Sequence, residues 1–307
     1  MKGLILRSTG SWYEVAADNG KVYQGRLRGK IKLDGLKVTN PIAVGDYVQF
    51  ELESETENTV VIHSIDGREN YIIRQSTHKK HYGHIIAANL DQTLLIATLG
   101  QPRTSLGFID RFLVSAESFR IPSMVVFNKT DILSEEGLAF QQELCDLYES
   151  LGYKCFQLSA LHDPEFERLW EHLNHKKTLI AGHSGVGKST LLNRLSPDLD
   201  LATSEISDYS QKGVHTTTFA TMFEVRPQTY LIDTPGIKEL GLVAIEPEEL
   251  GHYFPEMRAL LGQCKYHNCT HTNEPQCAVL KAVEKGEIAL SRYESYLSMF
   301  SGEDNRK

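Results

Sequence analysis

Through residue 75 apolar and polar positions alternate in short runs, the period expected of strands with one buried face. Tyr13-Glu14-Val15 leads into Asp18-Asn19-Gly20, a tight-turn signal, and then into Val22-Tyr23-Gln24, which together predict a hairpin. Further strands are predicted at Tyr47–Leu52 and Val60–His63. About five short strands with no helix-length pattern predict a small β-barrel of the oligonucleotide-binding (OB) type. From about residue 90 the pattern changes to apolar runs alternating with amphipathic stretches, the signature of a parallel sheet covered on both faces. The runs are Thr93–Ala97, Met124–Phe127, Cys155–Leu158, Thr178–Ala181 and Tyr230–Ile232, with helices predicted at 108–119, 135–151, 164–174 and 188–195. After about residue 240 the chain is predicted to be mainly helical. The expected division is a barrel over 1–75, an α/β unit over 76–239 and a helical unit over 240–307.

The 307 residues, 41% hydrophobic and 23% charged, match a soluble multi-domain protein, and no apolar run approaches the roughly eighteen residues of a membrane span. Met1-Lys2-Gly3-Leu4-Ile5-Leu6-Arg7 lacks the apolar core and cleavage site of a signal peptide, so a cytoplasmic protein is expected. The five cysteines, three of them between 264 and 277, suit metal ligation better than a disulfide framework; Cys145 and Cys155 fit as core residues. The net charge of −8 argues against a uniformly basic nucleic-acid binder but leaves room for a local basic patch.

Gly182-His183-Ser184-Gly185-Val186-Gly187-Lys188-Ser189 fits G-x-x-x-x-G-K-[ST] between a predicted strand and the helix-like run opening at Thr190. Glycines there let backbone N–H groups turn toward phosphate oxygens, and the helix adds the positive end of its dipole. Lys188 is expected to reach the β- and γ-phosphates and Ser189 to ligate Mg²⁺. The plainer alternative, a glycine-rich turn with Lys188 facing solvent, must place glycines, Lys and Ser in register by chance. Asp233-Thr234-Pro235-Gly236 follows a predicted strand, so Asp233 is expected to hold Mg²⁺ through water and the Gly236 N–H to meet the γ-phosphate.

Asn128-Lys129-Thr130-Asp131 distinguishes guanine from adenine. The Asp131 carboxylate can accept from the N1–H and N2 amino donors of guanine, whereas adenine presents a lone pair at N1. Asn128 is expected to contact the base edge and tie this loop to the phosphate loop. Ser159-Ala160 is expected to offer a backbone N–H to guanine O6. Seen alone, Asp131 or Ser159 reads as a helix N-cap; with the phosphate motif they become specific.

The base-reading motifs precede the phosphate-binding ones, the reverse of an ordinary small GTPase, so the domain is circularly permuted. The segment after Gly236 therefore runs directly into the C-terminal unit. Lys212-Gly213-Val214-His215-Thr216-Thr217-Thr218 is the natural first switch, with Thr217, then Thr216, expected to complete the Mg²⁺ shell. Ile237 occupies the position of a water-orienting Gln, which predicts slow intrinsic hydrolysis with His215 or a partner's group aligning the nucleophile. A structural or solvent-facing His215 is an equal alternative. Cys264-x4-Cys269-x-His271-x5-Cys277 supplies four ligands for one closed, structural Zn²⁺ site.

With these motifs the sequence resembles the ribosome small-subunit-dependent GTPase A (RsgA) family over nearly its whole length: barrel, permuted GTPase with a G-x-H-T-T switch, and zinc segment. The resemblance implies a bacterial GTPase that assists late maturation of the 30S subunit, binds 16S rRNA and is stimulated by the subunit. An RNA-binding assembly factor in which GTP is mainly a structural ligand is the alternative. From the residues themselves, Lys21, Arg26, Arg28, Lys30, Lys32 and Lys37 against the single acid Asp34 form a basic stretch suited to a phosphate backbone or a merely solvated face. Tyr23 stacks on a base or, more ordinarily, fills the core. A monomer is expected.

Overall fold

In this computed structural model, residues 1–29, 38, 40–75, 83–163, 167–197, 220–234 and 245–302 are described. Five strands, β1 (Lys2–Ser8), β2 (Tyr13–Ala17), β3 (Val22–Leu27), β4 (Tyr47–Ser54) and β5 (Thr59–Ile65), pair in the order β1-β2-β3-β5-β4, and β4 returns to β1. All pairings are antiparallel except β3 with β5, and the ring closes as the OB-type barrel expected from sequence. Period-2 alternation sends Ile5, Val15, Tyr23, Val48, Phe50, Val60 and Ile62 into its core. Tyr23 is thus a core residue, its ring 5.9 Å from that of Phe50. Of the basic stretch, Lys21, Arg26 and Arg28 are described, and Arg26 is paired with Glu53; Lys30, Lys32, Asp34 and Lys37 lie outside the described residues.

A hairpin of β6 (Tyr71–Gln75) and β7 (Gly83–Ala88), absent from the sequence-based expectation, leads into the α/β unit. Strands β8 (Gln92–Ala97), β9 (Ser123–Phe127), β10 (Lys154–Gln157), β11 (Lys177–Ala181) and β13 (Thr229–Asp233) run parallel in the order β10-β9-β8-β11-β13, with β12 (Thr221–Arg226) antiparallel beyond β13. The expected strands and helices are in place: α1 (Leu106–Ser118), α2 (Glu135–Ser150), α3 (Glu167–Leu173) and α4 (Lys188–Leu195).

Alternate side chains of each central strand enter different layers. Leu94, Ile96, Met124, Val126, Ile180 and Leu231 meet α3 and α4. Leu95, Ala97, Val125, Phe127, Leu179, Ala181 and Ile232 meet α1 and α2. Coverage of both faces is why these strands are continuously apolar. Among the described residues a single rung, Arg7 opposite Thr221, joins β1 of the barrel to β12.

The C-terminal unit comprises a 3₁₀ segment (Pro247–Tyr253) and helices α5 (Pro255–Arg258), α6 (Ala278–Glu284) and α7 (Leu290–Phe300). Its core of Leu250, Phe254, Met257, Val279, Tyr293 and Tyr296 closes on Val114 of α1. Helix α1 is therefore buried on nearly every side, between the sheet and this unit. Among the described residues no helix is long and apolar enough to cross a membrane.

Candidate functional site

Three loops emerge at the same edge of the sheet from the C-terminal ends of β9, β10 and β11, with β8 lying between β9 and β11, where ligands gather in open parallel sheets. The loop after β11 requires glycine at two positions. A Cβ on Gly182, at φ +148, would lie 2.4 Å from the Ile96 carbonyl oxygen. One on Gly187, at φ +96, would lie 2.3 Å from Asn128 Nδ2. The loop after β11 is thus packed directly against the Asn128–Asp131 motif. Val186 anchors it in the core, and Ser184 and Gly185 are exposed at its rim. Lys188 Nζ donates to the Gly182 and His183 carbonyls at 2.8 Å each, arching its charge over the loop. Ser189 and Thr190 follow in the first turn of α4, whose N-terminal N–H groups face the same space.

Asn128 holds the three loops together. Its buried side chain donates from Nδ2 to the Val186 carbonyl at 2.8 Å and accepts at Oδ1 from the Ala160 N–H at 2.8 Å. The expected tie to the phosphate loop is therefore present. Of the Ser159-Ala160 pair expected to offer a backbone N–H to guanine O6, the Ala160 N–H is donated to Asn128 in this arrangement. Ser159 begins the same turn, accepting from the His162 N–H. From α4, Arg194 Nη1 donates to the Ala160 carbonyl at 3.0 Å, a brace that sequence reasoning missed. Lys129 adopts a left-handed backbone, φ 64, and its ammonium reaches the Gln101 carbonyl at 2.9 Å. Thr130 and Asp131 open a 3₁₀ turn, where the Asp131 carboxylate lies 4.0 Å from His162 Nε2.

Asp233 ends β13 beside Lys188. Burial pushes its carboxyl above the ordinary range against the pull of the Lys188 ammonium, and its Oδ1 is buried with no hydrogen-bond partner among the described residues. A buried, unpartnered carboxylate oxygen next to a phosphate loop fits a hydrated divalent cation. His215, Thr216, Thr217, Gly236 and Ile237 lie outside the described residues.

The second cluster lies in the C-terminal unit. Sγ of Cys264, Cys269 and Cys277 and a ring nitrogen of His271 all lie within 4.8 Å of one another. His271 Nδ1 is 3.6 Å from Cys264 Sγ and 3.4 Å from Cys277 Sγ, and those two sulfurs are 3.9 Å apart. A tetrahedron with Zn–S near 2.3 Å and Zn–N near 2.0 Å has edges of about 3.5–3.8 Å, so the four residues fit a zinc ion. N–H groups at the start of α6 point at two sulfurs, Ala278 at Cys264 and Leu280 at Cys277. Such donors favour the thiolate. Helix α7 secures the loop from behind, with Tyr293 Oη donating to the His271 carbonyl at 2.9 Å and Tyr296 Oη to that of Thr270 at 2.6 Å.

Between the two sites lies a network the sequence did not disclose. Arg292 of α7, 1% exposed, donates to Asp110 of α1 at 2.6 Å and to Glu256 of α5 at 2.7 Å, while Tyr148 Oη donates to Asp110 at 2.9 Å. Six residues before Val114, α1 also touches the loop after β11, its Phe108 ring 3.9 Å from that of His183.

Comparison with known proteins matches residues 65–243 to the family model described as RsgA GTPase and residues 2–60 to the RsgA N-terminal domain. A relative from Cytophaga hutchinsonii, named small ribosomal subunit biogenesis GTPase RsgA, is 53% identical over 307 residues, covering all of both chains. The crystal structure of YjeQ from Thermotoga maritima superposes with a TM-score of 0.77 at 36% identity, over 98% of this chain and 97% of that one. YloQ, described as a circularly permuted GTPase, gives 0.74 at 30% identity, over 100% and 96%.

Proposed function

The chain belongs to the RsgA GTPase family, and from that premise we propose that it hydrolyses GTP to GDP and phosphate on the small (30S) ribosomal subunit during its late maturation. The observation that carries this is Asn128, whose two hydrogen bonds gather the phosphate loop and both base-reading loops into one site.

Within that site Asp131 accepts from the guanine N1–H and N2 donors, and the turn at Ser159 and Ala160 covers the O6 edge. The loop from Gly182 to Gly187 wraps the phosphates, and Lys188 turns from its own carbonyls to the β- and γ-phosphate oxygens. Ser189, Thr217 and, through water, Asp233 would hold Mg²⁺, which when bound neutralises charge on the phosphates. Gly236 offers its N–H to the γ-phosphate. With Ile237 unable to orient water, His215 or a group from the subunit aligns the nucleophile, so basal turnover is slow. Cys264, Cys269, His271 and Cys277 would hold one Zn²⁺ that staples a loop with little core of its own. The division into barrel (1–75), GTPase unit (76–239) and zinc unit (240–307) belongs to the same proposal, as do contact with 16S rRNA, a cytoplasmic location and a monomeric state.

The test is steady-state GTP hydrolysis by the purified protein alone, with stoichiometric 30S subunits and with 50S subunits. Strong stimulation by 30S alone is expected. No stimulation, with rRNA binding indifferent to GTP or GDP, favours instead an RNA-clamping factor for which GTP is a structural ligand.

A further inference from the structure

At the other end of the parallel sheet, a cavity of about 730 Å³ opens among Gln92, Ser123, Lys154 and Lys176, at or just before the N-terminal ends of β8, β9, β10 and β11. At about 3.3 Å per residue, a five- or six-residue strand puts it some 17–20 Å from the nucleotide loops. The GTPase unit contributes Arg120, Lys154 and Lys176, and the C-terminal unit contributes His252 and Arg258. One carboxylate, Glu117, lines it, and that is already bound to Arg258 at 2.9 Å.

Among the described residues Arg120, Lys154 and Lys176 form no ion pair. Neutral groups hold the two ammonium ions: Lys154 Nζ is 3.0 Å from His172 Nδ1, and Lys176 Nζ donates to Gln92 Oε1 at 3.1 Å. Burial, then the charges of Lys154 and Lys176, lower the pKa of His172, which keeps its ring neutral beside them. In a chain of net charge −8, three unpaired cations gathered around one hollow concentrate positive potential that an anion would relieve. Arg120, Lys154 and Arg258 stand exposed around it. Pockets that enclose small ligands are mostly apolar with few converging polar groups, whereas exposed cations on a rim suit a polyanionic chain passing over it.

We propose that this hollow is an RNA-backbone anchor, in which Arg120, Lys154 and Lys176 bind rRNA phosphates of the small subunit across the seam between the GTPase and zinc units. The proposal rests on the ribosomal reading above and names a face of contact distinct from the nucleotide site.

It is tested with the full-length triple variant Arg120→Ala/Lys154→Ala/Lys176→Ala, measuring affinity for 30S particles and for deproteinised 16S rRNA across a salt series. GTP affinity and melting temperature serve as folding controls. Expected is at least a tenfold loss on both targets, with a log–log salt dependence shallower by about 2–3, since each phosphate contact contributes about 0.7–0.9. The charge-preserving variant Arg120→Lys/Lys154→Arg/Lys176→Arg is expected to bind like wild type. Unchanged affinity and slope in the alanine variant overturns the anchor while leaving the ribosomal function standing. Loss on 30S alone, with naked rRNA unaffected, assigns the hollow to a protein and also overturns it. Wild-type protein that binds neither target removes both proposals.

Discussion

Asp131 and Asp233 are carboxylates with opposite demands. Asp131 sits in a turn beside His162, and in the proposed site its value lies in matching two donors on one base. Asp131→Asn replaces an acceptor by an amide that suits a base with a carbonyl at C2, so preference is expected to move from guanosine toward xanthosine triphosphate. Unchanged GTP affinity in competition binding would refute the assignment. Asp233 is held buried with one oxygen unpartnered among the described residues, a cost of about 1–3 kcal/mol that the proposed cation would offset. Asp233→Asn is therefore expected to melt a few degrees higher than wild type in chelator, yet lose Mg²⁺-dependent stabilisation by nucleotide and nearly all hydrolysis. A lower melting temperature in chelator contradicts the burial cost.

The loop from Cys264 to Cys277 shows how an element with little hydrophobic core is ordered by polar means. Burial opposes charge on Glu274, but donors at Thr270 N and Oγ1 (both 2.6 Å), Thr272 N and Asn273 N hold its carboxyl at about 2. Because the folded value is below the free value of 4.5, its stabilisation is complete above that pH and is lost as pH falls toward 2. The melting-temperature gap between wild type and Glu274→Gln is thus expected to be constant from neutral pH to about 5 and to close below it; a gap that widens in acid contradicts this. Elements with a strong local signal were legible in the sequence. Helix α4 follows from the motif, and the barrel strands from alternation and the Asp18-Asn19-Gly20 turn. Cys264, Cys269, His271 and Cys277 were legible from spacing alone and do converge. The β6–β7 hairpin was not, because its strands are short and apolar without alternation. Nor was the brace from Arg194, whose partner lies 34 residues away and is a backbone oxygen with no side-chain signature.

Across the whole molecule, α1 is the shared part, touching the Gly182–Gly187 loop through Phe108 and the C-terminal unit through Asp110 and Val114. The pairing of Asp110 was not legible in the sequence, because its partner lies 182 positions away. Arg292→Ala strands Asp110 and Glu256 as buried charges and is expected to destabilise by about 3–5 kcal/mol in urea unfolding. The triple replacement Asp110→Asn/Glu256→Gln/Arg292→Met is expected to recover much of that loss; equal damage in both denies that unpaired charge is the cause. The same pairing bears on how the chain is made. Barrel strands find their partners within the first 65 residues, so that unit can form early in synthesis. Strand β8 waits for β11, 85 or so residues on, and Asp110 waits for Arg292, 182 positions further along the chain. Until then a growing chain carries a helix whose future interior face is open and charged, and a nascent GTPase unit has every nucleotide motif before it has its final counter-ion.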